Sequence, residues 1–335
     1  MITLVRPTLK EIARRSGVSI ATVSRVLNST DSVREQVKEK VWKVARELGY
    51  RPARSFRKRV GKGKVIALMI TDIANPFFPE IVHGVEDAVF EHGFSVSLWN
   101  TREDPQREEH YLRTLNKENV KGIIFGASRI KEEYIKSTFE KGIPCVTINR
   151  IVEGVPHVVA DYEEGAYLAT RYLLYLGHDR IALINGPANA QTSKWREKGF
   201  RKAFAEQNKE IDERLLSFNP PLIEGGYVTT LRLLKKEMQP SAILAYNDLV
   251  ALGAMKAIKE SGLSLPRDIS LIGYDNIFLC AFLDPPLTTV EQPKYLMGRL
   301  AADMLFRMIE RGSVAEKSVR LKPQLIIRGS CGVRG

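Results

Sequence analysis

Seven of eight short apolar runs in this 335-residue chain end on a carboxylate or an amide. The ends are Asp72 with Asn75, Asn100, Asn149 with Arg150, Asp161, Asn185, Asn247 with Asp248, and Asp275. Such side chains grip hydroxyl groups by paired hydrogen bonds, so a polyol such as a sugar is the natural guest. Any one of them can equally be a helix N-cap, whose oxygen takes a free backbone amide. Seven together, with Phe77 and Phe78 in the first loop as an apolar wall, favour a pocket.

Catalytic patterns do not accompany these residues. His83, His92, His110, His157 and His178 show no HExxH spacing, and no serine sits in a GxSxG elbow. The "GKGK" at 61–64 is too short for a phosphate loop, and no GxGxxG follows a strand. Cys145, Cys280 and Cys331 are too few and too far apart for a disulfide framework or a metal knuckle, and are expected to be reduced. The chain is therefore read as a binding protein rather than an enzyme, with no cofactor and no metal.

The elements that must position these residues begin at residue 64. Nearly all-apolar runs, "KVIALMI", "FSVSLWN", "GIIFG", "PCVTINR", "HVVAD", "RIALING", "SAILAYN" and "ISLIGYD", alternate with amphipathic helices at 79–92, 105–118, 162–176, 194–207, 226–237 and 248–261. Runs buried on both faces belong to parallel sheets with crossover helices, so this is a doubly wound α/β body. Ligands of such sheets bind beyond the carboxyl ends of the strands, where the polar residues cluster. Its length predicts two lobes, one of residues 64–162 plus 291–322 and one of 163–290 plus 323–335. "TTVEQP" and "VRLKPQLIIRG" read as strands that return to complete them.

The first fifty residues differ in kind. Thr8-Leu9-Lys10-Glu11 is a capping box and Gly17 a stop, predicting a helix over 9–16. Ser19 caps a second helix over 20–28, and Ser32-Val33-Arg34-Glu35 opens a third that Gly49 ends. Two short helices joined by a tight turn and braced by a third make a helix-turn-helix, so 1–50 is an all-α DNA-binding domain.

Charge agrees with that division. The chain carries a net +12, and residues 1–64 hold 17 Lys and Arg against 5 Asp and Glu. Residues 65–335 are formally neutral, with 34 of each sign. A basic module on a neutral body is the footprint of a protein that holds phosphate backbones with one end. "RPARSFRKR" at 51–59 is the densest part of it. The opening "MITLVRPTLKEIARR" has too short an apolar run for a signal peptide, and no stretch approaches the roughly 18 apolar residues of a membrane span. A cytoplasmic location without membrane contact is expected.

These parts in this order resemble the LacI/GalR family of bacterial transcription regulators. The residues that carry the resemblance are "TLKEIARRSGVSIATVSRVLN" (8–28), "ELGYRP" (47–52), "NPFF" (75–78), "GHDRIALINGP" (177–187), "REKGF" (196–200), "NDLVALGA" (247–254), "ISLIGYDN" (269–276) and "PPLTTVEQP" (285–293). "NPFF" and "PPLTTVEQP" look most like the ribose and purine repressor branch.

The resemblance implies that the second helix lies in the DNA major groove, presenting Ile20, Ala21 and Arg25 to bases and Ser19, Thr22, Ser24 and Asn28 to phosphates. It implies that 51–63 is a hinge whose helix enters the minor groove, with contacts from Arg51, Arg54, Phe56, Arg57 and Arg59. The family's wedging leucine falls on Arg59 and its usual small residue on Phe56. Either Val60 or Phe56 supplies the wedge, or Arg59 enters a narrow minor groove; the second is preferred here.

For the pocket, the resemblance implies that Phe77 and Phe78 wall it and that Asp161, Arg196, Asn247 and Asp275 bond the effector, a monosaccharide or derivative. Pro221 stands where many members carry a stacking aromatic, with Phe218 a possible substitute, which argues against a purine. A homodimer on operator DNA is implied, whose affinity the effector switches as inducer or co-repressor. A solute-binding protein would leave the basic helix-turn-helix unexplained. A sugar-processing enzyme would need a catalytic constellation that is absent.

Overall fold

The computed structural model describes residues 8–27, 33–48, 64–115, 119–235, 239–312 and 317–334. Two units part after Gly61.

The first unit holds α1 (Leu9–Ser16), α2 (Ile20–Leu27) and α3 (Glu35–Glu47). Thr8 Oγ1 accepts the Glu11 amide at 3.3 Å, and Gly17 ends α1 at φ 67°, a left-handed conformation that glycine adopts without strain. Ser19 Oγ accepts the Thr22 amide at 3.1 Å and so starts α2. Ile12, Val23, Val41 and Ala45 close a core between the three helices. The expected third cap begins at Ser32, which lies outside the described residues, as does Gly49.

The second unit begins with β1 (Val65–Ile70), α4 (Phe77–Glu91), β2 (Ser95–Asn100), α5 (Pro105–Arg113), β3 (Val120–Gly126), α6 (Glu132–Glu140), β4 (Cys145–Ile148) and β5 (His157–Ala160). It continues with α7 (Tyr162–Tyr175), β6 (Ile181–Asn185), α8 (Gln191–Glu206), β7 (Leu216–Phe218), α9 (Ile223–Leu234), β8 (Ala242–Ala245), α10 (Asp248–Glu260), β9 (Ser270–Asp275) and β10 (Thr288–Glu291). It closes with α11 (Lys294–Arg311), β11 (Ser318–Leu321) and β12 (Gln324–Ile326).

Two six-stranded sheets form among the described residues, in the orders β11-β5-β4-β3-β1-β2 and β12-β10-β9-β8-β6-β7. Pairing is parallel except between β10 and β12. Each sheet with its helices is a lobe. The chain crosses between lobes three times, from β5 to α7, from β10 to α11 and from β11 to β12.

Two helices, α6 and α11, were not expected from the sequence. In α11 the buried Met297, Ala301, Leu305 and Met308 recur at helical spacing, a signal that was legible. Helix α4 starts at Phe77, two residues early, because Asn75 Oδ1 accepts the Phe77 amide at 3.0 Å. Phe77 and Phe78 thus belong to its first turn rather than to a loop.

Helices α4 and α11 touch at reciprocal glycines. A Cβ on Gly84 would lie 2.1 Å from the Tyr295 oxygen, and one on Gly298 2.1 Å from the Ile81 oxygen. Only glycine allows these backbones so close, which draws α11 tight against the first lobe although it follows the second in sequence.

Candidate functional site

The carboxyl ends of strands from both lobes open onto one cavity of about 260 Å³. Thr71 and Asn75 follow β1, Ser128 follows β3, Asn149 and Arg150 follow β4, and Tyr246 and Asn247 follow β8. Ala127, Asn149 and Asp275, all at strand ends on this cavity, have φ of 55°, 59° and 113°. Such backbone disfavours L-residues by about 1–3 kcal/mol each and re-aims side chains at the strand ends.

Arg196 forms the floor on the second lobe. Its side chain leaves α8 and is 3% exposed. The guanidinium carbon lies 4.4, 4.1 and 4.2 Å from the ring centroids of Tyr162, Tyr246 and Tyr274. Three electron-rich faces hold a cation in place without neutralising it. Arg196 Nη1 reaches the Thr192 oxygen at a long 3.4 Å, and Nε has no hydrogen-bond partner among the described residues.

Asp275 faces the same space and is 5% exposed. Its Oδ1 accepts from Gln292 Nε2 at 2.6 Å. Burial, and then the nearby Asp248 carboxylate, push Asp275 up to about 8, against the pull of Arg196 and Lys294. Asp248 itself turns away from the cavity. It accepts from the Ile277 amide at 2.8 Å and Thr289 Oγ1 at 2.6 Å, and burial raises it to about 6.

On the first lobe a buried carboxylate shapes the rim. Glu108 accepts from the amides of Arg129 and Ile130, at 2.9 and 2.7 Å, and from Ser128 Oγ. This fixes the loop that carries Arg129 and Lys131 to the cavity edge. Arg129 pairs with Glu103 at 2.8 Å, and Arg150 Nη1 donates to the oxygens of Ser128 and Ile130.

The structure brings Phe77, Phe78, Arg196, Asn247 and Asp275 together on the cavity. Asp161 is not among its lining residues: the carboxylate caps α7 through the Glu164 amide at 3.1 Å and lies 3.6 Å from Arg320. Asp72, Asn100 and Asn185 likewise bond backbone, at Ala74, Ile73 and Ser193. Asn247 does both, capping α10 at 2.8 Å while facing the cavity. Pro221 lines it and Phe218 does not. Sequence reasoning missed Tyr162, Tyr246, Tyr274 and Glu108, which read there as ordinary core or surface positions.

In the first unit, Val23 and Val26 of α2 face the core while Ser19, Ile20 and Ala21 are exposed, Ile20 by 49%. An isoleucine so bare at a helix start, beside exposed Ser19 and Ala21 and half-buried Thr22 and Ser24, makes a shallow mixed face. The Arg25 side chain, Asn28, Arg51, Arg54, Phe56, Arg57 and Arg59 lie outside the described residues.

Residues 8–53 match the model of bacterial regulatory proteins of the lacI family, and residues 170–331 that of a periplasmic binding protein-like domain. The HTH-type transcriptional repressor PurR of Aliivibrio fischeri (strain MJ11) is 35% identical over 337 residues, covering 96% of this chain and 98% of its own. The chain belongs to the lacI family.

Solved lacI-family structures agree. A LacI family transcriptional regulator from Enterococcus faecium with bound ribose is 30% identical, with a TM-score of 0.72 over 81% of this chain and all of its own. The lac repressor dimer bound to operator and the anti-inducer ONPF is 26% identical, with a TM-score of 0.75 over 97% of this chain and 99% of its own. This lacI-family chain is thus a DNA-binding transcriptional regulator, related to repressors rather than enzymes. Among the described residues no helix is long and apolar enough to cross a membrane.

Proposed function

We propose that this regulator represses transcription as a homodimer on operator DNA and that a small polyol bound between its lobes switches its operator affinity. The observation that carries the reading is that Arg196, boxed by three tyrosines, and Asp275 line one cavity onto which strand ends of both lobes open. The ribose held by the Enterococcus faecium relative supports a sugar-like guest, and the operator-bound lac repressor dimer supports the two-fold assembly.

In this reading residues 64–162 with 291–322, and 163–290 with 323–335, are the bodies that move, and 51–63 is the hinge that reads their spacing. Ile20 and Ala21 meet bases by apolar contact, Arg25 pairs with a guanine, and Ser19, Thr22, Ser24 and Asn28 meet phosphates. Arg51, Arg54, Phe56 and Arg57 line the hinge, and Arg59 enters the minor groove. Arg59→Leu that leaves operator binding and bending unchanged sinks that last role. Asp161 acts by capping α7 rather than by touching the effector.

If the ligand favours the closed lobes and closure misplaces the hinges, ligand and DNA oppose each other and the sugar is an inducer. A thermal-shift panel of sugars followed by operator binding tests the reading. Saturation at about 100 times the dissociation constant adds roughly 2.7 kcal/mol. A ligand that stabilises the protein without altering operator affinity overturns the switch, and one that tightens binding makes it a co-repressor.

A further inference from the structure

We propose that the groove between β12 and α7 on the second lobe docks an extended segment of a partner protein, which adds a strand to the edge of the sheet.

The backbone sets the kind of guest. β12 is the last strand of its sheet and pairs only with β10 among the described residues, so its outer edge has no strand partner there. A row of strand amides and carbonyls is matched in register by another extended backbone.

Side chains make a trough along that edge. Pro323, Leu325 and Ile327 alternate along the strand and its flanks and share one face, while Leu168, Tyr172 and Tyr175 recur four and three residues apart along α7 and form one stripe. Together they line a groove of about 820 Å³. It is poorly filled, for Tyr175 is 83% exposed and Ile327 57%. A peptide laid against β12 turns every second side chain into the trough, so apolar residues at alternate positions fit it.

Charge selects the flanks of that segment. Arg171 lines the groove and Lys322 precedes it, both exposed, and neither forms an ion pair with a carboxylate among the described residues. Arg171 Nη1 reaches the Tyr167 hydroxyl at 3.3 Å, which donates to Glu206 at 2.6 Å. Glu206 offsets part of the Arg171 charge and leaves that of Lys322, so acidic flanks are favoured by the modest margin of exposed pairs. A second copy of this chain is the poorer occupant, because it would bring another Arg171 and Lys322 against the first pair. The exposed Leu222, Ile223 and Val228 of α9 offer a second copy an apolar surface on the opposite face of the sheet.

Display of random peptides of about nine residues, long enough for one strand, against the full-length protein tests the idea. Enriched peptides are expected to carry apolar residues at alternate positions flanked by Asp or Glu. They should lose about tenfold in affinity to Tyr175→Ala and to Ile327→Asp. Both side chains are exposed, so melting temperature and operator binding should stay as in wild type. N-methylation of alternate backbone amides in an enriched peptide should abolish binding in one register and spare it in the other, the mark of strand pairing. No enrichment, binders indifferent to both substitutions, or binding that survives methylation in either register overturns the inference. So does a change in sedimentation with Ile327→Asp, which would assign the groove to a second copy.

Discussion

The ammonium of Lys294 lies 2.6 Å from the backbone oxygen of Asp275, holding the left-handed turn that aims Asp275 into the cavity. Lys294 is 2% exposed, begins α11 of the first lobe, and also reaches the Asn276 oxygen at 3.2 Å and Glu80 of α4 at 3.3 Å. One buried cation therefore ties a second-lobe ligand position to two first-lobe helices. Lys294→Met should reduce stability by about 1–3 kcal/mol through lost charged hydrogen bonds. It should also weaken effector binding about tenfold beyond what Asp275→Asn alone leaves. Equal effector affinity in wild type and Lys294→Met would show that the turn holds itself.

Gln191, which lines the cavity, also bridges the lobes. Gln191→Ala removes its two hydrogen bonds to Ile151, worth roughly 1 kcal/mol each. The effector dissociation constant should rise about ten- to thirtyfold, and small-angle scattering without effector should show a larger radius of gyration. An unchanged radius and affinity would mean that closure is set elsewhere.

The raised carboxyls set a pH dependence. Asp275, at about 8, and Asp248, at about 6, keep protons in the folded protein that the unfolded chain releases near pH 4. Their contribution is greatest below that point and declines as pH climbs through 6 and 8. The melting temperature should therefore fall more steeply from pH 5 to 8 in wild type than in Asp275→Asn. Parallel slopes would place Asp275 in the ordinary carboxylate range.

Gly298→Ala tests the seam between α4 and α11. The added methyl meets the Ile81 oxygen at 2.1 Å, so the backbones must part. Overpacking of this kind costs about 1–3 kcal/mol, a melting temperature roughly 2–12 °C lower. A variant as stable as wild type would mean that α11 rides loosely on α4.

Features governed by local chemistry were plain in the sequence. Thr8, Ser19 and Gly17 mark helix ends by caps and φ, and the strands of the two parallel sheets announce themselves as apolar runs. Part of the cavity was legible too, since Asn247 and Asp275 are polar residues where strands end, while Arg196 came only from the family resemblance carried by "REKGF". Which strand-end carboxylates turn inward was not. Asp161 and Asp275 end similar runs, yet one meets its own helix amides while the other is turned by a φ of 113° that Lys294 secures. The tyrosine box escaped notice because Tyr162, Tyr246 and Tyr274 come from three separate segments and look like core until Arg196 is set among them. Glu108 was equally silent, since its partners lie about twenty residues away in sequence.

The three crossings between the lobes also order events in time. The first lobe opens the body, but α11 and β11 belong to it and are made only after the second lobe. During synthesis its sheet must wait with the β5 edge uncovered while residues 162–293 emerge and fold. The last strands then stitch both halves at once, so a chain truncated before residue 318 would lose an edge from each sheet and one of its three connections.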